Sequence, residues 1–174
     1  MLFKEEGYGR LIVRHATGGD ACSVEELYAQ LSPRSGGVSV DPDRLDQIAD
    51  DPRNLLLVVE HQGVVIATAL LTICLDAMYR RQPFGVVENV VVDASHRSLG
   101  CGRALLEAID RVALSADCSK VMLLSGAMRS DAHAYFTAMG YDGDAKRGFV
   151  KYRSSLEAGQ LNGCRVSGSV SVAG

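Results

Sequence analysis

Tryptophan is absent from this chain of 174 residues, aromatic residues amount to 6% and there are only four prolines. The 47% of residues that are hydrophobic are therefore mostly aliphatic. Excess charge of one sign is lacking too. Eighteen Lys and Arg stand against 21 Asp and Glu, for a formal charge of −3 and a pI near 5.8. A general nucleic-acid-binding surface, which neutralises phosphates with a basic face, is thereby excluded. No run approaches the ~20 apolar residues that span a bilayer. Cys22, Cys74, Cys101, Cys118 and Cys164 are odd in number and irregularly spaced. Without a CxxC or CxxxH pattern they suggest neither a disulfide framework nor a zinc site, and no metal is expected. The opening Met-Leu-Phe-Lys-Glu-Glu is charged and lacks a leader's apolar run. A cytoplasmic protein is expected, with no membrane or nucleic-acid partner.

What remains is an ordinary globular composition, at a length that predicts one domain and a core burying roughly 70% of the unfolded surface. Residues 10–17 read as a strand, and Gly18-Gly19-Asp20 opens a helix with Val24, Leu27, Tyr28 and Leu31 at helical spacing. The Ser-, Gly- and Pro-rich stretch 32–43 predicts a loop, and Pro42–Ala49 a short helix. Two β-branched runs, 54–60 and 64–75, flank His61-Gln62-Gly63 as a hairpin. After a polar tip at 76–83, residues 85–93 predict another strand. A turn over 94–100 precedes a helix starting at Arg103, with Leu105, Ile109, Val112 and Ala116 on one face. Lys120–Leu124 reads as a short buried strand. Ser130 reads as the cap of a helix ending at Gly140, and Phe149–Tyr152 as a last core strand. This order predicts an α/β fold, a mixed sheet with helices on both faces, over residues 1–153. Residues 154–174 are Ser-, Gly- and Val-rich and read as a solvated extension. The even spacing of Val166, Val170 and Val172 offers an edge strand as the alternative.

The chemistry concentrates where the third long strand meets the glycines. Glu88-Asn89-Val90-Val91-Val92-Asp93 is followed by Ala94-Ser95-His96-Arg97-Ser98-Leu99-Gly100-Cys101-Gly102-Arg103. Glycine lets the backbone approach a ligand, and a helix start turns unpaired N–H groups and the positive dipole end toward an anion. Phosphate or pyrophosphate suits such a site, with Arg97 and Arg103 as charge-assisted donors. The spacing fits neither GxGxxG nor GxxxxGK followed by Ser or Thr.

Arg97-x-x-Gly100-x-Gly102, with the Val-Val-Val-Asp strand before it, resembles the acetyl-CoA loop of the GNAT superfamily of N-acetyltransferases. A second matching block comprises Lys120–Gly126 and then Arg129–Tyr141, ending in Gly140-Tyr141. The resemblance implies a central mixed, twisted sheet splayed around the acetyl-CoA strand, and acetyl transfer from acetyl-CoA to an amine. It further implies that main-chain groups of Val90, Val91 and Val92 meet the pantetheine arm. Backbone amides from Ser98 through Leu99, Gly100, Cys101 and Gly102 to Arg103 would hold the pyrophosphate. Cys101 itself reads as a small packing residue.

Glu88 is the candidate general base. It stands two residues before Val90, which in a regular strand gives the two side chains one face. The family's proton-donating Tyr lies four residues before the Gly of the second block, and here that position is Phe136. Tyr135 next to it is the candidate acid, although adjacent helix positions lie ~100° apart. The resemblance also implies an acceptor pocket built from the first helix, the 32–43 loop and the 76–83 tip. Asp41, Asp43 and Asp76 face Arg34, Arg80 and Arg81 there without selecting a substrate. A homodimer is common in the family. A non-catalytic acyl-CoA-binding module is the alternative, and Phe136 is its support.

Overall fold

The three longest aliphatic and β-branched runs of the chain form its three longest strands. The computed structural model describes residues 3–4, 11–33 and 37–160. The chain divides into two compact units, Met1–Tyr141 and Asp142–Gly174. The first holds a six-stranded mixed sheet whose spatial order follows chain order. Its strands are β1 (Phe3–Lys4), β2 (Leu11–His15), β3 (Asn54–His61), β4 (Val64–Cys74), β5 (Phe84–Val92) and β6 (Val121–Leu123). Neighbours from β1 to β5 pair antiparallel, and β5 pairs with β6 in parallel. The helices α1 (Ala21–Leu31) and α2 (Pro42–Asp50) follow β2, α3 (Cys101–Ser115) joins β5 to β6, and α4 (Ser130–Ala138) follows β6.

Both faces of the sheet are covered, which is why β3 reads as an unbroken apolar run rather than an alternating one. On one face Leu55, Leu57 and Val59 of β3 join Leu71 and Val87 beneath Leu105, Leu106 and Ile109 of α3. On the other, Leu56 and Val58 pack with Ala21 and Val24 of α1 and Leu45 of α2. The β3–β4 hairpin turns through Gln62 and Gly63, both at positive φ, the geometry of a tight two-residue turn. Arg14 of β2 ties this hairpin to the helical layer. Its guanidinium donates to both carboxylate oxygens of Asp20 at 2.8 Å and to Glu60 of β3 at 2.9 Å. Asp20 also accepts from the Thr17 amide at 2.8 Å, closing the turn that leads into α1.

Several expectations are corrected. The helix α3 begins at Cys101, two residues before Arg103, because glycine-initiated backbone already enters helical geometry there. The cap position of α4 is Arg129, which makes no side-chain cap, and Ser130 is the first helical residue. Strand β6 is half-buried rather than buried. Phe149–Tyr152 forms no strand, and Phe149, Val150 and Tyr152 are 88%, 63% and 73% exposed. The β propensity of four residues is a weak preference that needs a ladder partner to express itself. A helix, α5 (Arg153–Gln160), occupies the start of the segment read as an extension, with Arg153 and Glu157 paired at 2.8 Å. Val166, Val170 and Val172 lie outside the described residues.

The Arg14 hydrogen bonds hold the Asp20 carboxyl below its ordinary 3.8, against the opposing effect of burial. Asp20→Ala should destabilise the fold by about 2–3 kcal/mol in urea unfolding, the cost of stranding a charged donor. A carboxylate depressed in the folded state contributes fully above its unfolded pKa and loses that contribution as pH falls through the folded one. The difference between wild type and variant should therefore be full at neutral pH and shrink below pH ~4.

Candidate active site

The strands β5 and β6 are joined at one end only. Gly85 N donates to Lys120 O at 2.9 Å and Ser119 N to Pro83 O at 2.8 Å, anchoring the start of β6. The ladder then runs Gly85–Val121, Val86–Met122 and Val87–Leu123, and ends. From Glu88 onward the outer edge of β5 has no strand beside it among the described residues. A cleft of about 280 Å³ opens there, lined by Glu88, Asn89 and Val90 from β5 and by Ser125, Arg129 and Phe136 from the far wall. Leu31 and Ser32, at the end of α1, close it on the helical side. None of residues 76–83 lines it. Arg34 falls outside the described residues.

A β-bulge coincides with this divergence. Thr68 faces Val91 and Leu70 faces Glu88, so β5 spends three residues where β4 spends two. Asn89 sits at the bulge with φ +55, in the left-handed region that Asn tolerates better than most side chains. Its side chain is hydrogen-bonded to Tyr28 of α1, whose phenol burial pushes above its usual range. The extra residue resets the alternation of faces. Val90 and Val92 pack on the α3 side with Val87, whereas Glu88 faces the α1 side opposite Leu70. The expected shared face of Glu88 and Val90 is thus overturned, and Glu88 shares its face with Val91.

Beyond Val92 the chain turns into α3 through a braced loop. Asp93 accepts from the Ser95 hydroxyl, from Gln30 Nε2 at 2.8 Å and from His96 Nδ1 at 2.7 Å. These bonds, led by Ser95, hold its carboxyl well below the usual carboxylate range. Gln30 also accepts from the Ala94 amide at 3.0 Å, so one α1 side chain grips both residues. Ser98 and Gly100 take φ +74 and +82. The residue capping α3 is Gly100, with no side-chain cap, so the first-turn amides of Cys101, Gly102 and Arg103 are free for an external acceptor. Leu99 packs into the core, while Arg97 and Arg103 are exposed beside the turn. The Cys101 thiol is 1% exposed and burial raises its pKa, which suits packing and opposes a nucleophilic role.

The two adjacent aromatics of α4 separate as helical spacing requires. Phe136 lines the cleft. Tyr135 is outside that lining, and its hydroxyl lies 2.7 Å from where a Cβ on Gly102 would stand. Since Cβ bonds tilt toward a helix N-terminus, the hydroxyl is on the open side of α3's first turn. The phenol's pKa is raised by burial, with Arg103 opposing. Gly102 therefore makes room for Tyr135 as well as for any ligand.

The structure thus gathers Glu88 and Val90 at the cleft and Arg97–Arg103 at the adjoining helix start. The reading of the sequence missed Asn89, Ser125, Arg129 and Gln30. Asn89 had a signal, a polar residue breaking a β-branched run; the others had none. Among the described residues no group of three or more His, Cys, Asp or Glu is placed to hold a metal ion.

A model of the Acetyltransferase (GNAT) family matches residues 23–141. No curated protein matches the sequence significantly. Among solved structures, the chain is similar to an Agrobacterium tumefaciens C58 protein assigned to the acetyltransferases. Identity is 30% and the TM-score 0.74, over 82% of this chain and 99% of that one. A Trypanosoma brucei acetyltransferase is 25% identical, with a TM-score of 0.68 over 82% and 99% of the two chains. The glucosamine-6-phosphate N-acetyltransferase of Arabidopsis thaliana shares the fold, at 22% identity and a TM-score of 0.69 over 82% and 98%.

Gly102→Ala should displace the Tyr135 side chain, whose hydroxyl end its methyl overlaps, at a cost of about 1 kcal/mol. Tyr135→Leu in the same chain should recover most of that loss in thermal unfolding. Additive losses would mean that the two residues do not meet.

Proposed function

The chain belongs to the GNAT acetyltransferase family, and on that premise we propose that it transfers an acetyl group from acetyl-CoA to a primary amine. The observation that carries this is the continuity of the uncovered β5 edge with the uncapped start of α3. Main-chain groups of Val90–Val92 offer partners to an amide-containing arm, and the amides from Ser98 to Arg103 offer partners to a pyrophosphate. No described helix is long and apolar enough to cross a membrane. A cytoplasmic enzyme meeting a diffusible amine is the setting this reading requires.

The chemistry is direct transfer. The amine nitrogen forms a bond to the thioester carbonyl carbon, the C–S bond breaks, and the electron pair leaves with the CoA sulfur. A main-chain N–H on the β5 edge stabilises the carbonyl oxygen as charge develops on it. Glu88, half-buried beside the cleft, accepts the amine proton through water. The departing thiolate takes a proton from solvent, since a thiol pKa near ~8.5 makes it a tolerable leaving group. Tyr135, whose hydroxyl faces Gly102, serves the pyrophosphate end of the site better than the sulfur. One observation favours a second reading: Phe136 puts an apolar ring on the cleft wall, as a module that binds acyl-CoA without turnover would tolerate.

Thiol release from acetyl-CoA across a panel of amines separates the two. Amine-dependent release is expected, and binding without release for every amine would establish the module. Glu88→Gln should lower kcat about 10²- to 10⁴-fold and flatten its pH dependence while CoA still binds. An unchanged rate across pH would remove the base role. Gly100→Val, forced to φ +82, should abolish CoA binding in calorimetry.

A further inference from the structure

Of the residues lining the cleft, two carry charge, and they are of opposite sign: Glu88 on β5 and Arg129 at the head of α4. They form no ion pair with each other, and neither has an ion pair or side-chain hydrogen bond among the described residues. Between them in chain order stands Ser125, whose buried hydroxyl also lacks a hydrogen-bond partner among the described residues. Arg129 is not placed loosely. Its amide donates to Gly126 O at 3.0 Å, and its aliphatic stem lies within 3.5 Å of where a Cβ on Gly126 would stand. His133 Nε2, one turn along α4, donates to the same Gly126 carbonyl at 3.0 Å and pins the turn.

A buried hydroxyl without a partner among the described residues, a half-buried carboxylate and an exposed guanidinium, all on one cleft, suit a ligand with three complementary groups. We propose that the acceptor is a free α-amino acid, its amine toward Glu88 and its carboxylate in the fork of Arg129. The guanidinium presents paired donors to a carboxylate, a geometry no neutral amine exploits. Ser125 supplies a further donor to the same carboxylate. The inference rests on the acetyl-transfer reading, in which the pantetheine arm is uncharged and the phosphates lie at the start of α3. On that reading the anion placed to meet Arg129 in the cleft is one carried by the acceptor. The step balances as before: the α-nitrogen gains the acetyl carbon, sulfur leaves, and the amine proton passes by water to Glu88. The product is an N-acetylated amino acid with its carboxylate untouched.

The test compares each of the twenty amino acids with its own carboxamide, which keeps the amine and side chain and removes the negative charge. The preferred acid should exceed its carboxamide about 10- to 100-fold in kcat/KM, the value of one charge-assisted contact. Arg129→Gln should bring that ratio near one through a raised KM for the acid, and Arg129→Lys should keep part of it. Equal use of acid and carboxamide, as peptide amino termini would give, overturns the inference while leaving acetyl transfer intact. An Arg129→Gln defect in acetyl-CoA binding overturns it as well. Calorimetric titration of the same pairs into CoA-loaded protein keeps the two readings apart. Tighter binding of the acid without turnover supports the amino-acid site and removes the enzyme; no binding preference and no turnover removes both.

Discussion

Everything in the site follows from the early end of one ladder. Strand β6 is three residues long and parallel to β5, so it covers Gly85–Val87 and no more. A strand edge left in this way presents main-chain donors and acceptors that must find partners in water or in a ligand. The bulge at Asn89 falls two residues beyond the last paired residue. It costs a residue in the left-handed region, of order 1 kcal/mol, and offsets part of that through the hydrogen bond to Tyr28. In return Val90 and Val92 keep their side chains in the core while Glu88 turns to the opposite face. Packing and binding are thereby assigned to different groups of the same residues.

The second requirement is that this edge lead directly into an anion-accepting helix start. Strand β5 ends at Val92, and α3 begins at Cys101, with the intervening loop folded on itself by Asp93, Ser95 and His96. Leu99 anchors the far side of the loop in the same core that α3 covers. Gly100 then reverses the chain at positive φ, where a β-carbon would be strained. No side chain caps the helix, a defect in a purely structural helix and a necessity in one whose first amides serve a ligand. Tyr135 lies over the same turn, which explains why the position after Cys101 carries no side chain.

How much of this could be read from the residues depends on how local each cause is. The hairpin at Gln62-Gly63, the β-branched runs and the amphipathic face of α3 are local, and they stand where the spacing put them. The strand, glycine turn and helix from Glu88 to Arg103 were legible as a motif, and the helix started only two residues early. The relation between Glu88 and Val90 was misread because alternation assumes a regular ladder, and the irregularity is set by pairing with β4, a long-range fact. Phe149–Tyr152 was misread for the converse reason: it has the composition of a strand and no partner among the described residues. Ser125 and Arg129 were invisible because a cleft wall is defined by what stands opposite, and β5 lies over thirty residues away in sequence.

The walls of the cleft are mechanically linked. Gln30 donates to Asp93 and accepts from Ala94, so the last turn of α1 is fastened to the first residues after β5. Leu31, the last residue of that helix, and Ser32 just after it line the cleft. Tyr28, one turn earlier, holds the bulge. Tyr28, Gln30 and Leu31 of α1 therefore meet the bulge, the loop and the cleft in turn, and a helix moves its side chains together. A movement of this end of α1 must carry the turn after β5 with it or break the two hydrogen bonds of Gln30. The end of α1 that borders the cleft and the turn that leads into α3 are, for this reason, fastened to each other by the two hydrogen bonds of Gln30 rather than merely adjoining.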